Sequence, residues 1–119
     1  MNAAHARETL DSFLRKYGQD CTLQRPAVGA PSIDVVVRAH VVDFKPHEIE
    51  MGAGIQAGDS RVIISTTELD AAQWPTPSES RTPRKGDRFV VGGRTRTVLF
   101  AWSAPYIENE VVRIEIAIR

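Results

Sequence analysis

The chain has a single cysteine, Cys21, which excludes an intrachain disulfide and any cysteine-based metal cage. Long hydrophobic runs are missing too, since none approaches the roughly 18 residues that a membrane-spanning helix needs. Aromatic residues make up only 7% of the 119, and the 15 basic and 15 acidic residues cancel to a formal net charge of zero. Neutrality removes the long-range attraction that draws basic proteins to nucleic acid. The opening segment, MNAAHARETLDSF, lacks the basic start and apolar stretch of a signal peptide. A soluble protein of a reducing cytoplasm is expected, with no membrane partner.

Reactive groupings are equally scarce. His5, His40 and His47 have no cysteine partner and no close ligand spacing, so no zinc site is expected. His47-Glu48-Ile49-Glu50 reads as a polar loop face. Cys21 lies in an alternating apolar run and reads as a small buried hydrophobe, not a nucleophile served by His40. Gly52-Ala53-Gly54 and Gly58 lead through Asp59-Ser60-Arg61 into a strand. A phosphate loop needs a helix N-terminus there, with a Lys-Ser/Thr pair. Glu48 and Glu50 on a glycine-rich loop lack the fixed geometry that acid–base catalysis requires. Neither an enzyme nor a cofactor is expected.

What the sequence does contain is the pattern of one small domain spanning residues 1–119, with 42% hydrophobic and 25% charged residues. Ala3, Ala6, Leu10, Phe13, Leu14 and Tyr17 recur at helical steps, which predicts an N-terminal helix within residues 1–18. Gly18 stands where a left-handed C-terminal cap is expected. From residue 20 onward the period becomes two. Cys21 and Leu23 predict a short strand ended by Pro26, and Ile33 to Phe44 a long β-branched one. Arg61 to Thr66 predicts a third strand, and Glu68 to Trp74 a single helical turn stopped by Pro75. Trp74 to Lys85 is proline-rich and irregular. Gly92-Gly93 supplies the positive φ angles of a tight hairpin between Asp87–Val91 and Arg94–Trp102. Glu110 to Arg119 closes the chain with strict alternation. The fold expected is mainly β with an N-terminal α-helix, a small curled sheet or barrel of five to six strands over residues 20–119.

The stretch Lys45–Asp59 is the main candidate for function, because a hairpin turns in two to five residues and loops this long usually have a task. It holds Gly52, Gly54 and Gly58 for freedom, Met51 and Ile55 as exposed apolar groups, and Glu48, Glu50 and Asp59 against Lys45. Charge is also split along the chain: residues 40–80 carry a net −5 and residues 81–96 a net +5. Arg81, Arg84, Lys85 and Arg88, with Trp74 as an apolar contact, are therefore candidates for a subunit or ring interface in which one copy's basic segment meets the next copy's acidic one. The hairpin Arg88-Phe89 to Arg94, Arg96, Phe100 and Trp102 carries the aromatic and basic ingredients of a small barrel that binds single-stranded nucleic acid. That remains the alternative.

In order, these residues resemble the head-completion (head–tail joining, or stopper) proteins of tailed bacteriophages. The likeness lies in a helix ending near Tyr17-Gly18, the strand Cys21-Thr22-Leu23-Gln24-Arg25, and a strand entering a glycine-rich loop from Val42 to Asp59. It continues through Asp59-Ser60-Arg61-Val62-Ile63-Ile64-Ser65, then Lys85-Gly86-Asp87-Arg88-Phe89-Val90-Val91 with Gly92-Gly93-Arg94-Thr95, and a last strand ending in Arg119. The resemblance implies a virion neck protein, present in the host cytoplasm during assembly. It implies a ring beneath the portal or adaptor that retains packaged double-stranded DNA and receives tail-completion or tail-tube proteins. Neighbouring tail-completion proteins share these features. The loop Lys45–Asp59 would face the channel, its acids keeping DNA from sticking, and the free chain would be monomeric before assembly.

Overall fold

The computed structural model describes residues 2–50, 54–103, 106–107 and 110–119. Its elements, in order, are α1 (Ala3–Tyr17), β1 (Gln19–Ala27), β2 (Ala30–Asp43), α2 (Pro46–Glu50), β3 (Ser60–Ser65) and α3 (Thr67–Ala72). Then follow β4 (Arg88–Val91), β5 (Arg94–Ser103), β6 (Tyr106–Ile107), β7 (Glu110–Val111) and β8 (Arg113–Ile118). Strands pair antiparallel in the order β1-β2-β3-β8-β5-β4 and β4 returns to β1, closing a barrel of six strands. The expected mainly β fold with an N-terminal helix is what forms.

The alternation foreseen in the sequence decides which residues fill the barrel. Leu23, Val37, Ala39, Val62, Ile64, Phe89, Val98, Ile114, Ile116 and Ile118 point inward and are buried. Stagger accompanies closure, as it must in a barrel. A line of contacts runs by strand register from Asp43 through Ser60 and Ile118 to Val98, by a backbone hydrogen bond to Asp87, by its side-chain ion pair to Arg25, and by register again to Ile33. It leaves β2 at Asp43 and returns to it ten residues earlier. Arg25 and Asp87 are thereby made neighbours although far apart in sequence. The hairpin between β4 and β5 turns at Gly92 (φ 59°) and Gly93 (φ 77°), as its sequence required.

Four local expectations are corrected. β1 continues through Pro26 to Ala27, and β2 already begins at Ala30. Pro26 is tolerated because β4 pairs only with Thr22–Gln24, so the strand has become an edge where a missing N–H costs little. Gly18 is not left-handed; its φ is −90°. It is glycine for space, since a Cβ there would lie 2.6 Å from the Leu14 carbonyl oxygen and 2.8 Å from that of Ala39. The apolar stripe of α1 is only partly covered: Leu14 is buried, whereas Phe13 and Tyr17 are 40% and 60% exposed. Finally, Lys45–Asp59 is not wholly irregular, because Pro46–Glu50 forms a helical turn.

Candidate functional site

The connection from β2 to β3 starts at an exposed Lys45 whose amide donates to Glu48 Oε1 (3.0 Å), while the Glu48 amide donates to the Lys45 carbonyl (2.9 Å). This reciprocal pair nucleates α2 in the manner of a capping box. The Lys45 amide, with help from Arg61 and neighbouring cations, holds the Glu48 carboxyl below its usual range. Arg61 Nη1 reaches Glu48 Oε2 at 3.4 Å and ties α2 to β3. His47 is exposed. Met51 and Gly52, and the side chain of Glu50, lie outside the described residues. Gly54 and Gly58 are exposed with positive φ (76° and 94°), and Ile55 is half-buried instead of exposed.

The returning end of this connection is clamped by arginines. Asp59 is 2% exposed, so it is a root residue and not part of an acidic surface. Arg119 donates from Nε to Asp59 Oδ1 and from Nη2 to Asp59 Oδ2, both at 3.0 Å, and from Nη2 to the Gly54 carbonyl at 3.0 Å. Asp59 Oδ2 also accepts from the Gln56 amide (2.8 Å). Arg96 enters from β5, donating to Ser60 Oγ (2.8 Å) and the Gly58 carbonyl (2.8 Å). Ser60 Oγ in turn donates to Asp43 Oδ1 (3.0 Å). Arg96 and Arg119 were not singled out for this role by sequence. Their partners lie 36 and 60 residues away, so no local pattern announces them.

Hydrogen bonds from Arg119 hold the Asp59 carboxyl below its ordinary range, against the opposing effect of burial. A depressed carboxylate contributes stability above its unfolded pKa and loses it as pH falls through the lower folded one. Acidification into that window should release residues 54–58 before the barrel unfolds. Amide hydrogen exchange is the measurement: it should rise at Gln56 and Asp59 at acidic pH, and Asp59→Asn should show the same rise at neutral pH. Equal exchange in variant and wild type would remove the clamp.

The proposed interface set is divided by the structure. Trp74 is 1% exposed and belongs to the core. Its Nε1 donates to the Ile33 carbonyl (2.9 Å) and the Arg25 guanidinium lies 4.8 Å above its ring. Arg81 donates to the carbonyls of Trp74, Thr76 and Glu79 and to Asp70 Oδ1, so it organises the proline-rich loop from within. Arg84, Lys85 and Arg88 are exposed, and none has an ion-pair partner among the described residues.

Among the described residues, the acids of the expected charge split are each engaged by a partner. Asp43 bonds Ser60, Glu48 meets Arg61, Asp59 meets Arg119, Asp70 meets Arg81, and Glu79 meets Arg25. Glu68 accepts from the Arg38 amide (2.7 Å). Segment charge summed along the chain misses these pairings: Arg119 and Arg25 come from 60 and 54 residues away to Asp59 and Glu79, and the other acids are engaged by nearer groups. The nucleic-acid platform is thinned in the same way. Phe89 is fully buried, Arg96 is committed to the clamp, and Phe100 and Trp102 pack on one another with centroids 5.5 Å apart.

Other chemistry is sparse. Burial pushes the Cys21 thiol up to about 11. The thiol belongs to the barrel interior, whereas His40 is on the outer side of β2 with its ring edge-on to Phe13. Among the described residues no group of three or more His, Cys, Asp or Glu side chains is arranged to hold a metal ion. None of the described helices is long and apolar enough to cross a membrane. A scan against models of known protein families and a search of curated proteins both find no match for the chain.

Proposed function

We propose that this chain is a structural virion protein of a tailed phage or prophage, a head-completion or stopper protein that assembles into a ring under the portal. The observation that carries the reading is the β2–β3 connection, exposed at Lys45, Pro46, His47, Gly54 and residues 56–58 and fixed at its root by Arg96 and Arg119. A closed barrel with a long connection rooted in this way would suit a part that meets a channel or a neighbouring ring without catalysing anything. The reading does not rest on an acidic surface, since Asp59 is buried against Arg119 and Glu48 is paired with Arg61. Exposed Arg84, Lys85 and Arg88 are free for contacts with the portal or adaptor above, or with tail-completion and tail-tube proteins below.

The test uses DNA-filled, tailless heads. Added protein should appear as density beneath the portal in electron micrographs, with the genome retained. Deleting residues 50–57 should keep the barrel's cooperative thermal transition yet leave heads that lose DNA. Retention by the deletion variant would discard the channel role of the loop, and no binding to heads would discard the neck assignment. The small-barrel nucleic-acid reading has one observation in its favour, exposed Arg84, Lys85, Arg88 and Arg94 without ion-pair partners among the described residues. Tight, salt-sensitive gel retardation by the isolated protein would bring it forward.

A further inference from the structure

The outer face of β4-β1-β2 is left uncovered, and its residues fall into register across the three strands. One row reads Arg88, Gln24, Asp34; the next reads Val90, Thr22, Val36. Val36 is 61% exposed, Arg88 and Asp34 are exposed, and Thr22, Gln24 and Val90 are half-buried. Neighbouring strands lie about 4.8 Å apart, so Arg88 and Asp34 stand roughly 10 Å apart on either side of β1. Asp34 is oriented by Ser32 Oγ (2.6 Å) and Gln24 Nε2 (3.4 Å), whereas Arg88 has no ion-pair partner among the described residues.

We infer that this face is a self-complementary contact for a second copy of the chain, related by a two-fold axis running along β1. Rotation about that axis exchanges the β2 side of the face with the β4 side. Arg88 then lies over Asp34 of the partner subunit, and Asp34 over the partner's Arg88. In the next row Val36 covers the partner's Val90, and Val90 the partner's Val36. One operation therefore satisfies both the charged row and the apolar row. Aligned sheets pack about 10 Å apart, a gap that an arginine and an aspartate bridge. Such an isologous contact closes at two copies and builds no ring. The inference goes beyond the neck reading and does not depend on it. It also replaces the monomer anticipated for the free chain with a reversible dimer.

Faces of this size are at the low end of specific interfaces, so a dissociation constant on the order of 100 μM is expected. Sedimentation equilibrium of the full chain up to about 1 mM, well past that range, reads it directly. Val36→Glu should weaken dimerisation by about tenfold or more, because it presses an unpaired carboxylate into an apolar row. Arg88→Asp and Asp34→Arg should each weaken it about fivefold, and the double reversal should recover wild-type association. All three substitutions are at exposed outer positions, so thermal midpoints should stay near that of the wild type. A protein that stays monomeric throughout would overturn the inference. So would a species larger than a dimer, or a double reversal no tighter than the single ones.

Discussion

Replacing Asp87 with alanine should cost roughly 3–5 kcal/mol, the usual penalty for removing one partner of a buried ion pair. For a domain of this size that corresponds to a thermal midpoint lower by about 10–20 °C. Arg25 is 6% exposed and Asp87 2%. The pair is bidentate, with Arg25 Nε to Asp87 Oδ1 at 3.0 Å and Nη2 to Oδ2 at 2.8 Å. The Asp87 hydrogen bond is also the main reason that the Arg25 guanidinium is held above its normal pKa. Asp87 Oδ2 further accepts from the Arg84 amide (2.9 Å), which shapes the turn leading into β4. Without the carboxylate, a buried guanidinium keeps the Trp74 ring face and, as its ion-pair partner among the described residues, Glu79 (3.1 Å), whose own side chain is 49% exposed. Glu79→Ala should therefore cost under about 1 kcal/mol, as exposed ion pairs do. Urea denaturation separates the two, and an Asp87→Ala midpoint equal to that of Glu79→Ala would show that the buried pair is not what holds this corner.

How much of this was legible in the sequence depends on the distance over which the signal acts. Alternation in β2 and β8, the helical spacing before Tyr17 and the Gly92-Gly93 turn are local. The helix and the turn form where the pattern placed them, whereas β2 starts three residues earlier than Ile33 and the stretch from Glu110 divides into β7 and β8. The interior was readable for the same reason, since inward and outward positions follow from a period of two. The loop Lys45–Asp59 was located correctly by its boundaries, but its turn of helix is only five residues and too short to show a period. Asp59 shows the larger difficulty. It ends a loop that holds three glycines and two other acids, Glu48 and Glu50, which suggests an exposed acidic loop, yet its partner is Arg119, 60 residues on. Arg25 and Asp87 are separated by 62. These pairs exist because a closed, staggered barrel lays the ends of its strands beside one another, and no segment-by-segment count of charge contains that information.

Trp74→Ala provides the second large effect, and it also decides between two roles for this side chain. Truncating a fully buried tryptophan costs roughly 3–5 kcal/mol. An exposed tryptophan at a ring contact would behave in the opposite way, leaving the isolated subunit's stability unchanged and weakening only assembly. The structure predicts destabilisation of the isolated protein. Trp74 packs in the core with Leu23, Val35 and Leu69, and its amide donates to the Leu69 carbonyl (3.0 Å), which fixes the exit from α3. Trp74→Phe keeps an aromatic ring but leaves the Ile33 carbonyl without its indole donor, so a smaller loss of about 1–3 kcal/mol is expected. The order wild type, phenylalanine, alanine in urea midpoint is the readout; equal midpoints would return Trp74 to the surface. Trp74 and Asp87 also meet at Arg25, one through the ring face and the other through the carboxylate. Residues that share a partner do not act additively, and coupling of about 0.5–3 kcal/mol is usual. Once Asp87 is gone the guanidinium no longer has a fixed position above the indole, so the double variant should lose less than the two single losses combined. A strictly additive double variant would mean that Arg25 does not link the Trp74 plug to the barrel wall.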